Sequence, residues 1–238
     1  MGSFRLNDIG IKMFHPNIHL GRSLYLSLVE RLIDYYPNQK MEAEKYSFWS
    51  IPQRIATVSQ KFSTVTEVFD DDVEAVKSRF FKITNQVVVC AQLNVNYFDL
   101  VLSAVYMPSN FPMDYTFGVL DLVGKCFLKE VDFAGLEAED ISTGITWQFR
   151  RGNRNYSLKL EPHSGHPGQL FIDVVVFFPQ EKISTAEMKL VVEEELEYLE
   201  NRIFPFIRGS LEGERSGDGY LDADEEAGED SSDSPGCG

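Results

Sequence analysis

Four histidines have the widest chemical range of any side chains in this 238-residue chain, and they stand in two close pairs. His15 and His19 are four apart; His163 and His166 are three apart in a stretch rich in Pro and Gly. Neutral imidazoles at such spacing can share a zinc ion if the backbone bends them together, with Zn–N contacts of about 2.0–2.1 Å. A water on that zinc would serve a metal-dependent hydrolase. Against this, Pro16 disfavours helix at His15, which removes the usual way a four-residue spacing converges. The plainer reading, preferred here, makes all four turn residues near prolines.

A second pattern lies near the C-terminus. Glu214 to Glu225 resembles a twelve-residue calcium loop: Ser216, Asp218 and the Tyr220 carbonyl fall at the third, fifth and seventh places, Asp222 at the ninth and Glu225 at the bidentate twelfth. Gly219 falls at the turn. Glu214 stands first, where the shorter Asp is normal, and Pro205 and Gly209 interrupt the incoming helix. An acidic, Gly-rich stretch also yields such matches by composition, so a plain solvated tail is preferred over a calcium site.

A third cluster is basic. Arg150, Arg151 and Arg154 crowd one turn of an otherwise acidic chain, either as a solvated turn or as a contact for an anion: a partner's acidic patch, a phosphate, or the chain's own tail. Other catalytic signatures are missing from the sequence. It has no Gly-x-Ser-x-Gly, phosphate loop, His-Glu-x-x-His or Cys-x-x-Cys, and its Gly-x-Gly triplets, Gly217 to Gly219 and Gly236 to Gly238, sit in the acidic tail. Neither zinc nor calcium is therefore expected as a required cofactor.

Charge narrows the partners. The chain carries −15, and from Leu211 to Gly238 ten acidic residues face one basic one, so the tail holds −9 and the body only −6. A mildly acidic body has no basic footprint for general nucleic-acid or anionic-membrane binding. No stretch approaches the ~18 apolar residues of a spanning helix. Cys90, Cys126 and Cys237 are an odd number without framework spacing, which reads as a reducing compartment, and the expected location is the cytoplasm.

The elements that must position these residues follow from periodicity. Phe4 to Phe14 alternates loosely, a strand with a slip near Asn7. Leu24, Leu28, Leu32 and Tyr36 recur at helical spacing, with Ser23 as cap and Pro37 as stop. Tyr46 to Thr66 reads as two strands divided at Ser50-Ile51-Pro52. Asp70-Asp71-Asp72 is the acidic start of a second helix, not a metal cluster. Gln86 to Tyr106 reads as two strands meeting near Asn94 to Asn96, and Leu120, Val123 and Phe127 favour a helix. Ile145 to Phe149 and Tyr156 to Leu160 form a hairpin about Gly152, and Leu170 to Val176 adds a third strand. Ser184-x-x-Glu187 is a capping box for a long helix with the stripe Met188, Val192, Leu196, Leu199, Ile203 and Ile207, its glutamates Glu193 to Glu195, Glu197 and Glu200 facing water. No internal repeat is evident.

This last third, Phe171-Ile172-Asp173-Val174-Val175-Val176-Phe177 followed by a helix into Ile203-Phe204-Pro205-Phe206-Ile207, resembles a sporadically distributed bacterial family of uncharacterised proteins of about 250 residues. Tyr35-Tyr36-Pro37 fits the family's N-terminal pattern. The resemblance implies the same fold, and it brings no activity and no site residues.

The expectation is an α+β fold: antiparallel sheet with packed helices, a long C-terminal helix and a disordered acidic tail. Residues 1–210 form the body, with a possible seam between two lobes near 108–112, and 211–238 the tail. All but one of the 30 aromatics precede the tail, generous for a core of this size. The leading functional expectation is a non-enzymatic binding or scaffold protein that contacts another protein; the alternative is the hydrolase built on His15/His19 and His163/His166. No oligomeric state follows from the pattern.

Overall fold

Strand β1 (Ser3–Phe14) turns Ile9, Ile11 and Met13 to one face, each at most 2% exposed. The slip near Asn7 is present, because the ladder to a neighbouring strand shifts register between Leu6 and Asp8. The computed structural model describes residues 2–51, 53–108, 144–164, 166, 168–179 and 184–212. The expected helix around 115–130, most of the 108–112 seam and the tail beyond Glu212 lie outside them.

After β1 come α1 (Arg22–Leu32), β2 (Asn38–Met41), β3 (Lys45–Ser50), β4 (Arg54–Ser59), β5 (Phe62–Val68), α2 (Val73–Cys90), β6 (Tyr97–Met107), β7 (Ile145–Arg151), β8 (Arg154–Pro162), β9 (Leu170–Phe178), α3 (Thr185–Tyr198) and α4 (Phe204–Glu212). The nine strands form one antiparallel sheet in the order β2-β3-β4-β5-β1-β6-β9-β8-β7. The order is nearly a palindrome about the β1–β6 pair. Each half is a central strand, a meander that returns to lie beside it, and then a helix: β5 and α2 complete one half, β9 and α3 the other. This repeat is topological; no shared residue pattern announces it. The protein is thus α+β, with a long helical C-terminal segment.

One sheet face carries the core. Phe48, Val58, Val65, Ile11, Leu100, Val174 and Leu158 point to it and are buried against Leu28 and Leu32 of α1, Val76, Phe80 and Ile83 of α2, and Met188, Val192 and Leu196 of α3. Burying such a row of large apolar side chains is the main favourable term of the fold, about 1.5–3 kcal/mol each.

Helix starts follow local chemistry. Asp72 caps α2, its carboxylate accepting from the Ala75 N–H, as the triple Asp predicts. Ser184 and Glu187 form the expected capping box on α3. Gly21, not Ser23, is the N-cap of α1, and the helix ends before Tyr36.

Three expectations are corrected. Gln86 to Cys90 is the last turn of α2 rather than a strand: Val76, Phe80, Ile83 and Val87 are spaced for a helix and all are buried. Tyr46 to Thr66 spans three strands, since Ser59-Gln60-Lys61-Phe62 makes a second turn held by Ser59 Oγ to the Phe62 carbonyl at 2.6 Å. Pro205 does not end the helix. A π turn, Leu199–Ile203, precedes it, and the Phe204 N–H reaches back to the Leu199 carbonyl. Proline lacks the N–H that an α turn would need there, and the wider turn makes room for its ring.

Candidate functional site

His15 follows β1 and is buried at 5% exposure. Its Nδ1 is 3.0 Å from the Pro16 carbonyl and its Nε2 3.1 Å from Ser63 Oγ. The carbonyl can only accept, so Nδ1 carries the proton and Nε2 accepts from Ser63. Both nitrogens are therefore used inside the protein. His19 is exposed.

His163 and His166 do converge. The loop between β8 and β9 folds on itself through His166 N–H to the His163 carbonyl and Gln169 N–H to the His166 carbonyl, and the rings lie 4.9 Å apart. Burial, together with the neighbouring His166, holds the His163 imidazolium pKa below its ordinary value, which favours the neutral, ligand-competent form. Zinc needs at least three protein ligands, and among the described residues no group of three His, Cys, Asp or Glu could hold a metal ion. The calcium-like residues Ser216, Asp218, Tyr220, Asp222 and Glu225 lie outside the described residues.

The arginine turn is committed internally. Gly152, at φ +60°, makes the β7–β8 turn, and Arg150 Nε donates to its carbonyl at 2.8 Å. Arg154 pairs with Glu194 at 2.9 Å and with Glu195, and Arg151 pairs with Glu194 at 3.2 Å and Glu195 at 3.6 Å. Tyr156 also donates to Glu195, and burial pushes its phenol pKa up to about 12. Glu195 is 1% exposed, which corrects its assignment to the water-facing side of the helix. The spacing Met188, Val192, Glu195, Leu199 is itself a helical stripe, and that was the signal for its burial. A matching cluster stands in the other half: Glu67 of β5 is fully buried, accepting from Tyr36 at 2.7 Å and from Arg79 at 2.5 Å. Both clusters tie helix to sheet.

The opposite sheet face is the larger feature, and sequence reasoning missed it. Among the described residues no helix contributes to it. One end is aromatic: Phe14 lies between Phe62 of β5 and Tyr97 of β6 in the ladders, stacked on Tyr97 with centroids 4.4 Å apart. Lys12 Nζ sits 4.9 Å from the rings of both Phe14 and Phe62. Phe177 of β9, diagonal to Tyr97, extends the stripe; Tyr97 and Phe177 are each 40% exposed. Further out, Trp49 and Ile55 face each other across β3 and β4, also exposed.

Beside the aromatic end runs a polar row. Asp8, Ser103, Asp173 and Lys159 are successive partners across β1, β6, β9 and β8. Ser103, buried, donates to Asp8 at 2.5 Å, and Asn7 on the bulge donates to the same oxygen at 2.8 Å. Burial, and then the Asp8 carboxylate, raise the Asp173 pKa against the pull of Lys159. The Ser103 hydroxyl is buried with its proton directed at Asp8, and the row forms a polar floor. No helix of the described residues is long and apolar enough to cross a membrane. No protein-family model matches the chain, and no curated protein matches it.

Proposed function

We propose that this protein is a non-enzymatic binding module that receives another protein on the sheet face opposite α1, α2 and α3. The observation that carries this reading is the aromatic stripe Phe62, Phe14, Tyr97 and Phe177, half-buried at Phe62 and Phe14 and exposed at Tyr97 and Phe177, with Lys12 across it. An antiparallel sheet ordinarily presents polar residues on its solvent face; a run of large rings there is the departure that needs a cause. Aromatic residues are enriched at the buried centres of protein interfaces, and a cation stacked on two rings at their rim adds orientation. The polar row from Asp8 to Lys159 would supply the hydrogen-bonding border of the same surface.

A photo-crosslinking amino acid at Tyr97 tests it in the native host, with the same group at Leu190 of α3, an exposed residue on a helix, as the comparison. Discrete adducts at Tyr97 that vanish on Phe177→Ser are expected. Equal adducts at both positions, or none at Tyr97, would remove the reading.

A further inference from the structure

Strand β1 is paired unevenly on its two sides. Against β6 it is matched from Ser3 to Phe14, but β5 ends at Val68, opposite Asp8. Phe69 still donates its N–H to the Asn7 carbonyl, and pairing on that side stops there. Among the described residues nothing pairs with that edge of Ser3, Phe4, Arg5 and Leu6, along which alternate residues turn an N–H and a C=O outward. Their edge lines a cleft of about 540 Å³ together with Asp70, Val73, Glu200, Phe204, Pro205 and Arg208.

Three features of the cleft select a ligand. The unpaired edge accepts an extended backbone. Phe4, stacked on Phe204 with centroids 4.2 Å apart, offers an apolar floor. The Arg208 guanidinium lies 5.3 Å from the Phe4 ring; its Nε is buried with no hydrogen-bond partner, and among the described residues no carboxylate ion-pairs with it. Arg208 lines the cleft, and a carboxylate is the group that best satisfies a guanidinium. Asp70 lies 4.0 Å from Arg79, which offsets its charge, whereas among the described residues no cation ion-pairs with Glu200, which disfavours a polyanion. The fit is to one acidic side chain on an otherwise apolar strand, not to a run of acids such as residues 213–238.

We propose that this cleft is a strand-addition site, separate from the aromatic sheet face: an extended segment of a partner protein, with apolar residues and one acidic residue, pairs with the Ser3–Leu6 edge and sets its carboxylate on Arg208.

The test uses full-length protein and the fluorescein-labelled peptide acetyl-Val-Asp-Val-Phe-Val-amide, read by anisotropy. Saturable binding is expected, weakened about tenfold or more by Arg208→Gln and equally by Asn in the peptide, with no further loss when the two are combined. Arg208→Lys, which keeps the charge without the planar donors, should give an intermediate loss and serves if the Gln variant does not fold. N-methylation of alternate peptide amides should abolish binding in one frame and be tolerated in the other. The Tyr97→Ala/Phe177→Ala variant should bind as wild type does, which keeps this result apart from the aromatic sheet face. No saturable binding at millimolar protein, indifference to Arg208, or tolerance of N-methylation in both frames would overturn the proposal. Binding that emerges only after removal of residues 213–238 would assign the cleft to the chain's own tail and equally overturn it.

Discussion

Arg54 and Arg154 open topologically equivalent strands, β4 and β8, and each reaches a glutamate that is almost wholly buried. Arg54 lies 3.9 Å from Glu67, and Arg154 contacts Glu195 directly. In one half the acid comes from the neighbouring strand β5, in the other from helix α3, so the same polar joint is built from different elements. Each glutamate also accepts from a buried tyrosine, Tyr36 or Tyr156. A charge so placed is tolerated only because its oxygens are occupied, and the arrangement fixes how each helix seats on the sheet.

Removing either acid should therefore be severe. Glu67→Ala or Glu195→Ala takes the acceptor from a buried tyrosine and the buried partner from an arginine, at a cost of about 3–5 kcal/mol. Glu194→Ala, which deletes an exposed partner of the same arginines, should cost under about 1 kcal/mol. Urea unfolding of the three variants checks the contrast; similar losses would show that the buried position is not what matters.

Leu196 and Leu199 lie on the buried side of α3 and of the π turn, at 5% and 1% exposure. Replacing either by Ala should cost about 2–5 kcal/mol, with Leu199 the larger because it is the more buried. A chemical-denaturation midpoint equal to wild type for Leu199→Ala would contradict its place in the core.

Asp173 gives a pH-dependent prediction. Burial and Asp8 raise its pKa above 3.8, the ordinary value. A carboxyl raised in the folded state costs nothing at pH values below 3.8, where both states are protonated, and its full cost appears above the folded-state pKa. Asp173→Asn should then melt higher than wild type at pH 7, and the difference should shrink as pH falls through the folded-state pKa. A gain that is constant with pH would locate the effect in packing instead.

Gly152 tests the β7–β8 turn. At φ +60° with nothing within 4 Å of a would-be Cβ, Gly152→Ala meets only the backbone penalty, about 1–2 kcal/mol, and Asn should cost less. Thermal melts of the two variants give the order.

Much of this fold was legible in residue pattern wherever one period dominated. The β7–β8–β9 meander, the Asp72 cap and the Ser184–Glu187 box all follow from local chemistry. What escaped was set by distant partners. The valines and cysteine from Val87 to Cys90 favour strand by propensity, yet α2 carries them because its stripe already has Val76, Phe80 and Ile83 in the core. Glu195 and Glu67 look solvent-facing by type, and only Arg154, Tyr156, Arg79 and Tyr36, remote in sequence, make their burial affordable. The aromatic stripe joins Phe62, Phe14, Tyr97 and Phe177 from four strands, so no single segment could reveal it. The histidine pairs show the same limit: spacing brought His163 and His166 together, while tertiary contacts engaged His15 elsewhere.

The centre of the sheet has a consequence for how the chain is made. β1 pairs with β5 through local turns and one returning meander, but its other edge is matched by β6, Ser3 with Met107 and Phe14 with Tyr97. During synthesis the first half can fold as a five-stranded sheet with a long, open β1 edge until β6 leaves the ribosome. Contacts of such sequence separation close slowly, since the loop entropy is lost before the ladder compensates it. That edge is where an unfinished chain would pair with a neighbour, so premature termination before β6 should yield aggregates rather than a soluble half.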